Sequence, residues 1–388
     1  MKIAFVTNIC PHYRRPTFEL LARRADTDFY FFSAGDEWYW QQAHGVERGG
    51  FRHQYLRGWR VGRTRITPTL PWKLLRGGYD AYVKCINGKF ALPATFLIAR
   101  LRRKPFVLWT GIWMRLQTPT HRLIFPLTRF IYRHADAIVV YGEHVKRYLV
   151  SEGVDSARIF VAAHAVDNAA YSQPVDPTEL AALRERLGLA AQGPVVLALS
   201  RLVAEKGYEY LLQAWAAAKA SVDRHAATLL IVGEGGERAR LEALAAELGV
   251  AGTVRFAGYV PARETRPYYA LADLFVLPSI TTANFKEPWG LVVNEAFNQG
   301  LPVIASDAVG AAAGGMVQPG INGLIVPERD SGTLARALAD LLDRPDLRLS
   351  MAEAARATVE MWTNERMVEG FLQAVAAAAG RRSRDDVE

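Results

Sequence analysis

Short apolar runs alternate with longer segments of helical periodicity through most of the chain. Strands that alternate with helices in this way form parallel βαβ units. Runs such as Ala137-Ile-Val-Val140 contain no polar position, which is typical of a parallel sheet covered on both faces. The predicted strands are residues 3–7, 29–32, 81–84, 106–109 and 137–140 in the first half, and 194–199, 227–232, 254–256, 274–277, 302–305 and 323–326 in the second.

Helical segments lie between these strands and at the end of the chain. The pattern lapses at residues 167–177, a stretch with two prolines that we interpret as a linker. We therefore predict two doubly wound, Rossmann-like α/β domains that face a central cleft, residues 1–168 and 169–360, and a final helix with a polar tail, residues 361–388. The predicted helices are residues 16–24, 91–102, 120–134, 143–152, 208–220, 237–248, 291–299, 331–342, 346–359 and 364–379.

The composition indicates a globular protein of a reducing compartment. Half of the 388 residues are hydrophobic, and the two cysteines, Cys10 and Cys85, form no disulfide framework. No apolar stretch reaches the roughly 18 residues that a membrane-spanning helix needs. The N-terminal run is interpreted as a strand and lacks the features of a signal peptide. These features together predict a cytoplasmic location.

The charge is unevenly distributed. Residues 1–170 contain 26 Lys and Arg against 12 Asp and Glu, whereas the remainder contains 21 against 27. Residues 89–104 and 115–133 combine this basic charge with apolar and aromatic positions. Such helices can lie on anionic lipid, so we predict peripheral membrane contact. The alternative is a helix with one face on the sheet and a solvated basic face. Nucleic acid is not predicted, because no recognised binding motif accompanies the charge.

Two cations and two carboxylates follow strands of the second half. Arg201 and Lys206 come after the strand at 194–199, where they can hold a diphosphate, Arg as a planar fork and Lys as a point charge. Glu287 and Glu295 follow the strand at 274–277 and can accept hydrogen bonds from sugar or ribose hydroxyls. The alternative is a set of solvated loop charges and a surface glutamate on a helix.

Other motifs carry weaker signals. Gly258, Tyr259 and Val260 end a strand where a base could bind, although an ordinary turn has the same pattern. The turn Gly233-Glu-Gly-Gly236 lacks the full phosphate-loop spacing. Asp26-Thr-Asp28 matches a metal-binding pattern but precedes a strand, so we interpret it as a turn between helix and strand. His12 and His164 each follow a strand, and a single histidine is more often structural. No cluster has zinc spacing, and no metal is predicted.

The ordered set of motifs resembles the retaining glycosyltransferases of family 4, which have the two-domain GT-B fold. The resemblance covers the whole chain and is concentrated in its second half. It rests on Arg201 with Lys206-Gly207, Gly233-Glu-Gly, Gly258-Tyr-Val260, Glu287-x7-Glu295 and Asn322-Gly-x-x-Val326. The resemblance also implies that the final helix packs back on the first domain.

The resemblance implies a role for each motif residue. Arg201 and Lys206 would hold the donor's diphosphate, Glu287 would contact the donor sugar, and Glu295 would bind the ribose. Tyr259 and Val260 would meet the base through their backbone. The implied donor-binding residues are Arg201, Lys206, Gly258, Tyr259, Val260, Trp289, Gly290, Leu291 and Glu295; the implied catalytic residues are Glu287, Arg201 and Lys206.

The first half departs from the family pattern. The loop after the first strand has His12-Tyr-Arg-Arg where many members have a glycine pair, and Trp109-Thr-Gly-Ile-Trp113 lacks the histidine that many members place there. No first-domain catalytic residue is therefore assigned. The acceptor-side candidates are His12, Arg14, Arg15, Thr110 and Gly111.

The sequence thus predicts a retaining glycosyltransferase of cell-surface polysaccharide synthesis, at the inner face of the cytoplasmic membrane. It would move a hexose-type sugar from a UDP or GDP donor to a lipid-linked or polyanionic glycan acceptor, without a cofactor or an essential metal. One alternative is a nucleotide-sugar epimerase of similar two-domain fold. Another is a non-catalytic, basic membrane-binding scaffold.

Overall fold

The computed structural model describes residues 1–33, 49–62, 64–190 and 192–385. The chain divides into two compact units, one formed by Met1–His164 with Thr363–Glu388 and the other by Ala165–Trp362. Each unit is built around a parallel sheet with helices and a buried apolar core. The predicted fold class, α/β with two doubly wound domains, is therefore confirmed.

The elements follow one another as alternating strands and helices. The strands are β1 (Lys2–Thr7), β2 (Asp26–Phe31), β3 (His53–Tyr55), β4 (Trp59–Val61), β5 (Thr64–Ile66), β6 (Ala81–Cys85), β7 (Phe106–Thr110), β8 (Ala137–Val140), β9 (Ile159–Val161), β10 (Val195–Leu199), β11 (Thr228–Val232), β12 (Val254–Gly258), β13 (Leu274–Leu277), β14 (Val303–Ser306) and β15 (Gly323–Val326). The helices are α1 (Arg15–Arg24), α2 (Thr69–Arg76), α3 (Ala91–Leu101), α4 (Pro119–His134), α5 (Glu143–Ser151), α6 (Asn168–Tyr171), α7 (Pro177–Arg186), α8 (Tyr208–Ala217), α9 (Lys219–Arg224), α10 (Arg238–Glu247), α11 (Arg266–Leu271), α12 (Val292–Asn298), α13 (Gly310–Ala313), α14 (Ser331–Asp343), α15 (Pro345–Val359) and α16 (Asn364–Asp385).

The first unit has a sheet in the order β3-β2-β1-β6-β7-β8-β9, and all of its neighbouring strands are parallel. Its central strands β6, β7 and β8 are buried along their whole length, as their mainly apolar sequences predict, although β6 also buries Lys84. A separate antiparallel hairpin pairs β4 with β5.

Aromatic rings fill the core of the first unit. The ring of Phe5 lies 5.3 Å from Phe18, 5.2 Å from Phe29 and 5.8 Å from Trp109. Phe371, on α16, approaches Phe5 to 5.5 Å and Trp109 to 5.4 Å. The last helix of the chain therefore completes the core of the first unit, as the resemblance implied, and each such ring pair adds about 0.5–1.5 kcal/mol beyond area burial.

The second unit has a sheet in the order β12-β11-β10-β13-β14-β15, again with every neighbouring pair parallel. The chain builds outward from β10 to β12 and then returns to the other side of β10 with β13. The point where this winding reverses lies between β10 and β13. In open α/β sheets, ligands bind outside the carboxyl ends of the strands at such a reversal.

Several predicted elements need correction. Asp26-Thr-Asp28 forms the start of β2 and is not a turn. Its acidic side chains are compensated by distant partners, because Arg52 pairs with Asp26 and Asp28, and Tyr79 donates to Asp28 at 2.8 Å. The stretch at 167–177 that was interpreted as a linker contains α6. Asp167 caps the N-terminus of this helix, because its carboxylate accepts a hydrogen bond from the N–H of Ala170 at 3.1 Å.

Short elements without clear periodicity escaped the sequence analysis. They include β3, β4, β5 and β9 among the strands, and α2, α7, α11 and α13 among the helices. Three-residue strands are too short to show alternation, and α2 packs against α3, a contact that the sequence pattern does not reveal. The helix predicted at 208–220 is two helices, α8 and α9, which meet at Ala218.

Two glycines of α16 provide a test of its packing. A Cβ at Gly370 would lie 2.9 Å from both Cα and Cβ of Ala162, whereas a Cβ at Gly380 would have no neighbour within 4 Å. Gly380→Ala should raise the free energy of unfolding by about 0.5–1 kcal/mol, because glycine is a poor helix former. Gly370→Ala should lower it by about 1 kcal/mol or more, because overpacking outweighs that gain.

Urea unfolding of both variants measures the difference. Stabilisation by both substitutions would show that α16 is not packed against the end of β9.

Candidate functional site

Charged side chains gather at the winding reversal of the second sheet. Arg201 and Lys206 follow β10, and Glu287 follows β13, the neighbouring strand. Because the carboxyl ends of parallel strands share one edge of the sheet, these residues come from two adjacent loops. Lys206 forms an ion pair with Glu287 there.

The Lys206–Glu287 pair is almost completely buried, with 9% and 7% of each residue exposed. Glu287 also accepts a hydrogen bond from the Oγ of Ser279 at 3.1 Å. The ring of Phe285 lies 5.5 Å from the Lys206 ammonium. A buried charge pair persists only when further hydrogen bonds compensate the loss of water, and Ser279 supplies one.

The loop that carries Lys206 requires a glycine. Lys206 ends a short 3-10 turn, Ala204–Lys206, and Gly207 follows with φ +67°. A Cβ at Gly207 would lie 2.1 Å from the carbonyl oxygen of Pro278. The N–H of Ile280 donates to Glu205 O at 2.9 Å, which joins this loop to the loop after β13. The two loops therefore hold Lys206 and Glu287 against each other.

Arg201 lies in the same loop as Lys206. One of its guanidinium nitrogens, Nη2, is 3.5 Å from a carboxylate oxygen of Glu205. The loop after β11 approaches closely, because a Cβ at Gly233 would lie 1.9 Å from Ser200 O, and the N–H of Leu202 donates to Glu234 O at 2.8 Å. The backbone around Arg201 is thus fixed from both sides of β10.

Backbone hydrogen bonds from the start of α13 hold the Glu287-Pro-Trp-Gly segment in place. The N–H of Gly310 donates to Glu287 O at 3.1 Å, and the N–H of Ala311 donates to Trp289 O at 2.7 Å. Trp289 is buried, its Nε1 donates to Asn294 Oδ1 at 2.8 Å, and its ring lies 4.8 Å from that of Trp362. Gly290 has φ +89°, and Leu291 immediately precedes α12.

Glu295 lies on α12 and has different partners from Glu287. It is buried, and the hydroxyl of Tyr269 donates to its Oε2 at 2.7 Å. Burial raises the pKa of Glu295 to about 7, although hydrogen bonds from Tyr269 and Tyr171 act to lower it. A carboxyl that titrates near neutrality inside a domain costs stability, which makes it a candidate for function.

The predicted base contacts lie at the end of β12. Gly258 ends the strand with φ +79°, and its carbonyl accepts from Gly233 N at 2.8 Å. Tyr259 is exposed, and Val260 is half-buried. The three residues lie at the carboxyl end of β12, which is separated from β10 by one strand, β11.

Arg14 of the first unit is enclosed by neutral and aromatic groups. Its Nη2 lies 2.9 Å from Tyr141 Oη and 2.9 Å from His164 Nε2, and its guanidinium lies 4.6 Å from the Trp109 ring. Because arginine only donates, Nε2 of His164 accepts and the imidazole is neutral. Burial and the nearby Arg14 hold the pKa of His164 well below its usual value.

The remaining acceptor-side candidates occupy different surroundings. His12 is half-buried in the short turn before α1, and Arg15 is exposed and donates to Glu19 at 2.8 Å. Thr110 is buried at the end of β7, where its Oγ1 accepts from Ile112 N at 3.1 Å. A Cβ at Gly111 would lie 2.2 Å from the ring of Tyr141.

Sequence reasoning missed two residues that contact the candidate donor site. Ser279 and Tyr269 donate hydrogen bonds to the two glutamates, and local spacing does not reveal these contacts. It also missed a buried cation of the first unit. Lys84, on β6, is completely buried, and its Nζ donates to the carbonyl oxygens of Cys85 and Asn87, both at 2.6 Å. Burial lowers the pKa of Lys84.

Within the described ranges, no group of three or more His, Cys, Asp or Glu side chains is arranged to hold a metal ion. Among the helices of the same residues, none combines the length and the apolar character that crossing a membrane requires.

Comparison with known proteins finds a family match for the part of the chain that carries the ion pair. The family model for glycosyl transferases group 1 matches residues 181–358. This range lies within the second unit and contains Arg201, Lys206, Glu287 and Glu295. It therefore includes the whole candidate donor site.

The similarity to curated relatives covers about half of each relative's length. The chain is 34% identical over 195 residues to the lipopolysaccharide core biosynthesis glycosyltransferase LpsE of Rhizobium meliloti, which covers 50% of this chain and 53% of that protein. It is 39% identical over 183 residues to a GDP-mannose-dependent phosphatidylinositol monomannoside mannosyltransferase of Mycobacterium tuberculosis, 47% of this chain and 46% of that one. The chain thus spans about half the length of the curated relatives it matches.

Structural similarity to solved proteins extends beyond residues 181–358. The solved structure of HepE from Anabaena, in complex with UDP, superposes with a TM-score of 0.75 over 97% of this chain and 100% of the other, at 21% identity. The predicted GT-B fold class is therefore confirmed.

The raised pKa of Glu295 predicts that the stability of the folded protein depends on pH. The carboxyl ionises near pH 4.5 when unfolded and near 7 in the folded domain. Between these values the folded state holds the extra proton, so the contribution of Glu295 to stability falls as pH rises and stays low above 7. Glu295→Gln should raise the melting temperature relative to the parent protein at pH 8, and by less at pH 5.

Glu247→Gln, at an exposed position on α10, is the control and should give no such pH dependence. A melting-temperature difference for Glu295→Gln that is equal at both pH values would contradict the assignment.

Proposed function

We propose that the protein is a retaining glycosyltransferase that moves a hexose-type sugar from a nucleotide diphosphate donor to a lipid-linked or polyanionic glycan acceptor. The observation that carries the proposal is the buried Lys206–Glu287 pair at the winding reversal of the second sheet, within the range that the group 1 model matches. The proposal is supported by the relatives, which include a lipopolysaccharide core glycosyltransferase and a mannosyltransferase.

The two cations would bind the diphosphate of the donor. The Lys206 ammonium has three N–H donors, and only part of this capacity is used by the Glu287 carboxylate. Arg201 would add a planar guanidinium from the same loop. As the bond to the sugar breaks, negative charge grows on the diphosphate, and fixed cations stabilise that charge without reorganisation.

The carboxylates would orient the donor's hydroxyl groups. Glu287 would accept from the sugar, and Glu295 from the ribose, while Gly258, Tyr259 and Val260 would contact the base. Trp289, Gly290 and Leu291 would set the loop between the two acids. In a front-face displacement the leaving diphosphate takes the proton of the attacking hydroxyl, so the reaction needs no separate protein base. UDP is favoured by the likeness to HepE, and GDP by the mannosyltransferase relatives.

The acceptor would bind to the basic first unit. His12 and Arg15 are the accessible candidates, because Arg14, Thr110 and Gly111 are enclosed by neighbouring groups. Arg14 would then act on the acceptor only through the loop that it anchors. Positive charge on this unit suits an acceptor that carries phosphate or acidic sugars.

A second part of the proposal is that the first unit docks on an anionic membrane. Helix α4 exposes Leu123, Leu127 and Phe130, one apolar stripe at i, i+4 and i+7, with 82%, 50% and 48% of each residue accessible. Leu97 and Leu101 form a similar exposed pair on α3, which is joined to α4 by the contact of Phe96 with Phe130 at 6.1 Å.

Helix α2, which packs against α3, exposes Trp72 and Leu75. Cations flank the stripes, among them Lys73 and Arg76 on α2, Arg102 and Arg103 after α3, and Arg122 on α4. Apolar side chains between cations match the boundary of a bilayer of acidic lipids. This surface would keep the enzyme at the inner face of the cytoplasmic membrane, where a lipid-linked acceptor is presented.

Removal of Lys206 tests the donor site. In a thermal-shift screen of UDP- and GDP-sugars, one class should stabilise the parent protein. Lys206→Ala should weaken binding of that donor by about 10- to 100-fold, since hydrogen bonds to charged groups contribute about 1.5–3 kcal/mol. It should also reduce sugar transfer to a glycolipid acceptor.

Lys219→Ala, which removes an exposed lysine that pairs with Asp223 on α9, is the matched control and should behave like the parent protein. Unchanged transfer by Lys206→Ala and by Glu287→Ala would refute the site. Conversion of the donor to its epimer without any acceptor would point to an epimerase instead.

The membrane surface is tested by Leu123→Glu with Leu127→Glu. Because a buried leucine contributes about 1.5–3 kcal/mol, the double variant should bind phosphatidylglycerol vesicles at least about tenfold more weakly in cosedimentation. Leu349→Glu, at a leucine of α15 that is 66% exposed in the second unit, is the control and should bind as the parent protein does. Equal binding by all three proteins would exclude this face as the docking surface.

A further inference from the structure

Two tyrosines from different elements converge on Glu295. Tyr269, on α11, is completely buried, and its ring lies 5.7 Å from that of Phe275 on β13. Its hydroxyl donates to Glu295 Oε2 across 26 positions of sequence. The second tyrosine, Tyr171 at the end of α6, lies near enough to lower the pKa of Glu295, and its hydroxyl also lies 3.5 Å from the carbonyl oxygen of Ala262. Neither residue belongs to the motifs that indicated the donor site.

Side-chain amides fix α6 against α12, the helix that carries Glu295. Asn298 Nδ2 donates to Asn168 Oδ1 at 3.0 Å, and Asn168 Nδ2 donates to the carbonyl of Val359 at 3.0 Å. At the other end of α6, Gln299 donates to the carbonyl of Tyr171. A four-residue helix held at both ends in this way delivers the Tyr171 side chain to a defined place.

The tyrosines have a chemical reason to surround this carboxylate. A buried carboxylate without hydrogen bonds is strongly disfavoured, and donors compensate part of that cost. Burial keeps the pKa of both tyrosines above its usual value, so each remains a protonated donor. The fixed hydroxyl of Tyr269, with the second phenol beside it, also restricts rotation of the carboxylate, which would otherwise be free at its terminal torsion.

We propose that Tyr269 and Tyr171 are positioning residues that hold the Glu295 carboxylate in the orientation that accepts hydrogen bonds from the ribose hydroxyls of the donor. The inference rests on the proposed function and deepens it, because it gives the donor site a supporting layer drawn from α11 and α6. The hydroxyl groups perform this role, and the rings perform a separate packing role.

The surroundings of Glu295 also set how binding depends on pH. The titratable groups that act on it are the two tyrosines, while Tyr208 and Asp167 act on those tyrosines in turn. Ribose hydroxyls bind best to the ionised carboxylate, so donor binding should strengthen as pH rises through about 7. Loss of one tyrosine hydroxyl removes a hydrogen bond that lowers the pKa of Glu295, and the midpoint should then move to higher pH.

The experiment compares Tyr269→Phe and Tyr171→Phe with Tyr268→Phe. Tyr268 is the buried neighbour of Tyr269 on the same helix, and it does not act on Glu295. Calorimetric titrations between pH 6 and 8.5 would use UDP and GDP, each beside its 2′,3′-dideoxy counterpart, which lacks the hydroxyls that Glu295 would bind. Circular dichroism confirms that each variant is folded.

The proposal expects a selective effect. Tyr269→Phe should weaken binding of the ribonucleotide by about tenfold, as for one lost hydrogen bond to a charged group, and Tyr171→Phe should weaken it by a smaller factor. Each should leave the dideoxynucleotide unchanged and shift the pH midpoint upward. Tyr268→Phe should match the parent protein in all three respects.

Three results would overturn it, and they differ from one another. Unchanged ribonucleotide binding by both variants would show that the hydroxyls do not position Glu295. Equal weakening of both nucleotide types would assign the tyrosines a structural role only. Failure of the parent protein to bind any of the four nucleotides would remove the proposed function and this inference together.

Discussion

The buried ion pair between Lys206 and Glu287 is the interaction on which the second unit's site depends. Opposite charges that leave water lose more solvation than a simple contact returns, so such a pair needs preorganised surroundings. Here the strand order places β10 beside β13, Gly207 allows the two loops to touch, and Ser279 supplies a further hydrogen bond. A ligand that competes for either charge therefore meets groups that are already in place.

The first unit treats its buried cation in the opposite way. Arg14 is surrounded by a phenol, an imidazole and the face of an indole, all of them neutral groups. Neutral acceptors and aromatic faces stabilise a guanidinium without cancelling its charge. The guanidinium of Arg14 thereby keeps its charge, whereas the charges of Lys206 and Glu287 balance each other within the second unit.

The sequence could predict the strands and the loops that carry charge, because both depend on local pattern. Buried runs such as β8 and β13 are apolar without interruption, and the residues that follow a parallel strand must lie at one edge of the sheet. The partnership of Lys206 with Glu287 could not be derived, because it depends on which strands become neighbours. The start of β2 was missed for a related reason, since its acidic residues are compensated by Arg52 and Tyr79 from distant parts of the chain.

The supporting residues were beyond prediction for a different reason. Tyr269 and Ser279 are ordinary residues by type and spacing, and only the packed structure shows that their hydroxyls end on carboxylates. The acceptor side shows the converse, since Arg14 and Thr110 were chosen by position along the chain and proved to be enclosed. Position after a strand predicts the neighbourhood of a site, whereas exposure depends on the side chains packed above it.

The tryptophan that anchors the Glu287 loop has an optical consequence. Trp289 and Trp362 have ring centroids 4.8 Å apart and planes inclined by 38°. Two indoles at this separation share their electronic excitation, and the tilt between them gives the shared transition a chiral signature. The near-ultraviolet circular dichroism of the protein therefore contains an intrinsic spectroscopic reporter, seated on the segment that links Glu287 to Glu295, which requires no attached dye.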